Sequence, residues 1–142
     1  MDFRSYARYP MLIYVYAGPG TQNVNSRFSI NWSTYLTTNK QMVYAMIDGR
    51  GSGYQGDQFM HELYRRLGTI EIEDQLYVAD YLSKNYPFLD RKRIGIWGWS
   101  YGGYASAMAL AKDDKNLIKC AISVAPVTNW LYYGRVQYER NR

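Results

Sequence analysis

Arg93-Ile94-Gly95-Ile96-Trp97-Gly98-Trp99-Ser100-Tyr101-Gly102-Gly103-Tyr104 is the stretch whose reading decides the fold. Its first half, to Gly98, reads as a buried strand, and Tyr104 to Ala111 reads as a helix rich in small residues. Between them Gly98-Trp99-Ser100-Tyr101-Gly102 spells G-x-S-x-G. Glycine and serine are common, so the five letters alone are weak. Their weight comes from position, because a nucleophile elbow needs a strand before it and a helix after it. The serine of such an elbow sits on a sharp, strained turn, and large flanking side chains would strike the neighbouring strand and helix. Glycines at 98, 102 and 103 remove those side chains. The helix start then turns its unpaired N–H groups towards the serine and favours developing negative charge. The alternative is a glycine-rich turn with an incidental serine.

Working outward, Met11 to Ala17 is an apolar run that follows Pro10 and is stopped by Gly18-Pro19-Gly20, as a buried strand would be. Ser26 to Leu36 can form an amphipathic helix with Phe28, Trp32 and Tyr35 or Leu36 on one side. Gln41 to Ile47 is a second strand, opening into the glycine-rich loop Asp48 to Gly56. A short helix is expected around Met60 to Arg66. Thr69 suits an N-cap for a helix through Tyr86, with Glu71, Glu73 and Asp74 near its positive end. Ile72, Gln75 or Leu76, Ala79 and Leu82 would face a sheet, and Pro87 ends the helix. Lys119 to Ala125 is a fourth strand. Strands alternating with helices, the strands nearly continuously apolar, imply an α/β fold: a mostly parallel sheet with helices on both faces.

Composition narrows the partners. The chain has 142 residues, 47% hydrophobic and 20% charged, a globular balance within the size of one domain. Its net charge of +5 comes from 17 basic against 12 acidic residues. The basic groups, such as Arg65-Arg66 and Arg91-Lys92-Arg93, stand beside acids, so they read as solvated surface and not as a nucleic-acid footprint. One Cys and one His exclude an internal disulfide framework and any multi-histidine or cysteine-rich metal site. Gly49-Arg50-Gly51-Ser52-Gly53 lacks the G-K-[ST] ending of a phosphate loop. No cofactor and no metal are expected. No apolar run approaches the roughly 18–20 residues that span a bilayer, and the first six residues carry no apolar region of a signal peptide.

Gly98 to Tyr104 resembles the active-serine segment of the prolyl oligopeptidase family, nearest its dipeptidyl peptidase IV and fibroblast activation protein branch. Val15-Tyr16-Ala17-Gly18-Pro19, Asp48 to Gly56 and Arg65-Arg66-Leu67-Gly68-Thr69 agree in the same order. So does Ala125-Pro126-Val127 followed by Trp130 and Tyr132-Tyr133. The resemblance covers nearly the whole chain. It implies an α/β-hydrolase fold and a serine peptidase that releases N-terminal dipeptides with proline or alanine second. It implies Ser100 as nucleophile, and an oxyanion hole made by the Tyr16 hydroxyl and the Tyr101 backbone N–H. Val127, Trp130 and Tyr133 match the apolar pocket for a proline ring. Gln137 departs from the pattern, standing where close relatives place another pocket tyrosine.

The expected triad order is Ser, then Asp or Glu, then His. The one histidine, His61, precedes Ser100 and reads as structural, and Asp113-Asp114 reads as a solvated turn. Residues 1–142 are therefore expected to be the first part of a catalytic domain, before the family's Asp and His segments and last strands. The family's N-terminal propeller is likewise expected to lie outside these residues. Inactivity of the isolated chain follows as an expectation. The resemblance also implies a secreted or type II membrane protein, allows a homodimeric parent, and pairs Cys120 with a later cysteine. Asn31-Trp32-Ser33 is an N-glycosylation acceptor pattern. Two rivals stand beside this reading. One is a carboxylesterase or lipase, disfavoured because no H-G-G-G follows the first strand. The other is a non-catalytic binding or regulatory protein that keeps the fold.

Overall fold

The apolar runs closed by glycine become strands, and the segments between them supply the cover. The computed structural model describes residues 7–131 and residue 133. In chain order the elements are β1 (Tyr9–Tyr14), α1 (Trp32–Asn39), β2 (Val43–Met46) and α2 (Asp57–His61). They are followed by α3 (Ile70–Asn85), β3 (Leu89–Trp99), α4 (Tyr101–Lys112) and β4 (Ile118–Val124). The four strands form one parallel sheet in the order β2-β1-β3-β4. Ile13 of β1 pairs with Ala45 of β2 and Ile96 of β3, and Ile96 pairs with Ala121 of β4.

Side chains alternate across a strand, so each strand feeds both faces. On one face Met11, Ile13, Val15, Ile94 and Ile96 join Ile72 and Ala79 of α3 and Tyr101, Ala105 and Ala109 of α4 in the buried core. On the other, Tyr14 stacks on Tyr44 and packs 4.8 Å from Trp97, and Trp32 of α1 meets Trp97 edge-on at 5.1 Å. The expectation of a parallel sheet with helices on both faces therefore holds. The inner strands are buried on the α3–α4 face, while Tyr14 and Trp97 on the other face are half-buried. In β4, with a neighbour on one side only among the described residues, Lys119, Cys120, Ile122 and Ser123 are exposed.

Element boundaries moved where side chains made local hydrogen bonds. α1 starts at Trp32 and not at Ser26, because Asn31 caps it: the Asn31 carboxamide accepts the Ser33 N–H at 3.0 Å, and Thr34 Oγ1 accepts the Asn31 N–H at 3.3 Å. Phe28 therefore lies outside the helix, 87% exposed, and Leu36 is the residue that α1 buries. α2 lies earlier than expected. α3 begins after Thr69 and ends before Pro87 as read, but Thr69 does not cap with its side chain; its hydroxyl donates back to the Arg66 carbonyl. β3 starts at Leu89, and α4 starts at Tyr101 directly after the elbow.

The lower end of α3 is held by one carboxylate. Asp80, 9% exposed at its side chain, accepts hydrogen bonds from Lys84 of α3 at 2.8 Å, Arg91 of β3 at 2.5 Å and Lys115 before β4 at 3.2 Å. Hydrogen bonds from Lys84 and Arg91, with Lys115 behind them, hold its carboxyl well below the usual carboxylate range. A folded-state pKa below the unfolded one stabilises the fold above the unfolded value, and that stabilisation fades as pH falls below about 4. The three cations are themselves half-exposed, which limits the gain. Asp80→Asn is expected to cost about 2 kcal/mol at neutral pH. In urea melts the gap from the wild type should narrow between neutral and strongly acid buffer; an equal gap at both would overturn the assignment.

Candidate active site

Ser100 sits between the last residue of β3 and the first of α4, with φ 58° and ψ −117°. A non-glycine residue at positive φ is strained and needs surroundings that hold it there. Here the Ser100 N–H donates to the Val124 carbonyl of β4 at 2.9 Å, and the Ser100 carbonyl accepts the Tyr104 N–H at 3.1 Å. The flanking glycines are required by contact. A Cβ on Gly98 would lie 2.4 Å from the Val15 carbonyl oxygen and 2.3 Å from that of Gly102. One on Gly102 would lie 2.1 Å from the same Val15 oxygen, and one on Gly103 would lie 2.6 Å from the Val124 oxygen. These obstacles are all backbone, which cannot swing aside.

The same closeness brings Tyr16 to the elbow. Its Cα would be 3.0 Å from a Cβ at Gly102. Its half-buried ring packs 6.4 Å from that of Tyr101, and Gly18 leaves room for it, since a Cβ there would meet Tyr16 Cε1 at 2.6 Å. Tyr101 opens α4, so its N–H belongs to the first turn, where helix N–H groups have no partner within the helix. Tyr16 thus stands against Tyr101 and Gly102, the two residues that follow Ser100.

Tyr101 is fixed from its far end by a residue the sequence reading assigned only to the helix dipole. Its ring is 1% exposed, and its hydroxyl donates to Glu71 at 2.8 Å. Glu71, also 1% exposed, accepts the Gly68 and Thr69 N–H groups as well. Burial, and then the negative charge of Glu71, push the Tyr101 hydroxyl far above its ordinary range, so it stays a neutral donor. Lys112 of α4 completes the clamp by donating to the Gly68 carbonyl at 2.7 Å. The signal available in sequence was Gly68-Thr69-Ile70-Glu71, an acid placed to reach back to the N–H groups that open a helix.

Of the three expected pocket residues, two line a pocket. Pro126, Val127, Thr128, Asn129 and Tyr133 bound an open hollow of ≈ 230 Å³. Pro126 adjoins the elbow helix, its Cα 3.1 Å from where a Cβ on Gly103 would be. Trp130 is not part of that wall. It meets Tyr101, Tyr104 and Tyr133 edge-on at 5.9, 5.2 and 6.0 Å, joining the pocket to the ring that Glu71 holds. Gln137 lies outside the described residues.

Other candidates fall elsewhere. His61 is the exposed last residue of α2. Asp113 accepts the Ile118 N–H at 2.6 Å, so it builds the turn after α4, roughly 18 Å from Ser100 by the helix rise. The glycine-rich loop is a brace. Asp48 accepts the Asn23 and Val24 N–H groups, Arg50 forms a two-pronged ion pair with Asp74, and Gly53 presses on the Gly20 carbonyl. Cys120 is free and exposed on β4. No His, Cys, Asp or Glu group among the described residues is placed to hold a metal ion.

The strain at Ser100 predicts an ordering of stabilities. Ser100→Gly should be more stable than Ser100→Ala by about 1 kcal/mol, because glycine adopts positive φ freely. Gly102→Ala should lose about 3 kcal/mol or more to the Val15 carbonyl. Thermal and urea melts read both; a Gly102→Ala protein as stable as the wild type would contradict the described contact.

Comparison with known proteins agrees with this fold. The model of a family described as the prolyl oligopeptidase family matches residues 27–141. Venom dipeptidyl peptidase 4 of Apis mellifera is 49% identical over 139 residues, 98% of this chain and 18% of that protein. Dipeptidyl peptidase 4 of Felis catus is 51% identical over 138 residues, again 18% of its length. The crystal structure of Porphyromonas gingivalis dipeptidyl peptidase 4 superposes with a TM-score of 0.84 at 41% identity, covering 92% of this chain and 18% of that one. The chain spans less than a fifth of these relatives.

Proposed function

The chain belongs to the prolyl oligopeptidase family, and from that premise we propose that it is the Ser100-bearing part of a catalytic domain that releases N-terminal dipeptides from peptides. The relatives named above are dipeptidyl peptidases. The observation that carries the reading is the Ser100 backbone, held at φ 58° between β3 and α4 with glycine clearance on both sides. Strain of that kind persists only where surrounding structure enforces it, and it lifts the hydroxyl out of the chain's path.

In the proposed reaction the Ser100 Oγ attacks the carbonyl carbon of the second residue of the peptide, and its proton passes to a base. The oxygen that becomes negative is met by the Tyr16 hydroxyl and the Tyr101 N–H. Collapse breaks the C–N bond, the amine leaves with the proton, and water then hydrolyses the acyl-enzyme. Val127 and Tyr133 form the wall against which a proline or alanine side chain rests, with Trp130 behind. The base is a histidine and its partner an acid, both from outside these residues: His61 is the exposed last residue of α2, and Asp113 accepts the Ile118 N–H in the turn after α4. No described helix is long and apolar enough to cross a membrane. We place the protein on the extracellular side, by likeness to relatives that include a venom protein.

Two outcomes test this. In the polypeptide that contains this stretch with its base, Ser100→Ala should abolish cleavage of a Gly-Pro reporter. Tyr16→Phe should lower kcat about 100- to 1,000-fold with KM little changed, the loss of one oxyanion donor. Unchanged turnover in either variant would overturn the corresponding role. The 142 residues alone should not turn over the reporter.

A further inference from the structure

We propose that Asn31 is an N-linked glycan acceptor, and that its modification leaves the N-cap of α1 intact. Asn31-Trp32-Ser33 is the one N-x-[ST] tripeptide in the sequence. Asn31 and the six residues before it are exposed, Ile30 by 78%. The contacts of the carboxamide all lie within two residues, so the chain can make them before the domain folds. Its oxygen accepts the Ser33 hydroxyl at 2.5 Å and the Ser33 N–H at 3.0 Å, and both draw electron density from the amide and make its N–H groups better proton donors. Its nitrogen donates to Ser29 Oγ at 3.2 Å, which uses one of its two hydrogens.

The other hydrogen is the one replaced. The Asn31 Nδ2 bonds to the anomeric carbon of a saccharide carried on a lipid pyrophosphate. The bond from that carbon to the pyrophosphate oxygen breaks, the pyrophosphate leaves with the electron pair, and the displaced proton passes to a base. The product is a glycosyl amide that keeps one N–H and its whole carbonyl. The cap uses the Asn31 oxygen towards Ser33 and the Asn31 backbone N–H towards Thr34, and neither touches the new bond. The exposed Asn31 that begins the helix can therefore carry a sugar and still cap it. This site is independent of Ser100, so its test involves no activity.

The experiment translates the full chain behind a cleavable leader into microsomes, where transfer occurs irrespective of final folding. The wild type should show one upward mass step that peptide-N-glycosidase removes, leaving Asp at position 31 in the peptide map. Asn31→Asp and Ser33→Ala should lack the step, whereas Ser33→Thr should keep it. A leader-cleaved wild-type chain without the step, or a step that survives Asn31→Asp, overturns the proposal. In purified chains, Asn31→Asp should melt within a few degrees of the wild type, since its carboxylate can still accept the Ser33 N–H. A melt lowered as far as that of Asn31→Ala would overturn the separation of the cap from the glycan.

Discussion

The approach of the Val15 carbonyl to Gly98 and Gly102 governs this structure. Its oxygen stands where a Cβ of either residue would be, at 2.4 and 2.1 Å. That contact lets β1 end against the turn between β3 and α4. It also brings Tyr16 against Gly102 and the Tyr101 ring. With any side chain at 98 or 102, α4 would have to shift away from the sheet. The elbow could then no longer hold Ser100 at positive φ, and Tyr101 and Tyr104 would leave the core.

A second layer of contacts keeps that arrangement from relaxing. Glu71 joins the start of α3 to Tyr101, and Lys112 joins the far end of α4 back to Gly68. A buried carboxylate is costly unless its oxygens are satisfied, and here two backbone N–H groups and a hydroxyl meet them. The glycine-rich loop does similar service on the other side, tying the segment after Tyr16 to α3 through Asp48, Arg50 and Asp74. Rigid support of this sort suits the proposed role of Ser100 as a nucleophile, whose reacting partners must stay in place.

The strands were readable because four apolar runs closed by glycine or proline have few alternatives. Their order was not legible along the chain: β1 and β3 lie inside the sheet, between β2 and β4. Helix starts were less legible, since single side chains set them. Asn31 claimed the Ser33 N–H and excluded Phe28 from α1. Gly102 and Gly103 looked like turn residues yet lie inside α4, placed there for backbone approach. Trp130 was read beside Val127 and Tyr133, and its edge-on ring contacts with Tyr101 and Tyr104 cross a span of the chain that no local pattern bridges.

By itself the sequence determined the α/β class, the family and the position of the elbow. Hydrophobic periodicity, glycine placement and the G-x-S-x-G order are properties of neighbours along the chain. The tertiary structure alone decided how the site is assembled. Val15 meets Gly102, Glu71 meets Tyr101 and Pro126 adjoins Gly103 across long separations in sequence. Such contacts depend on which strand lies beside which, and no local pattern encodes that.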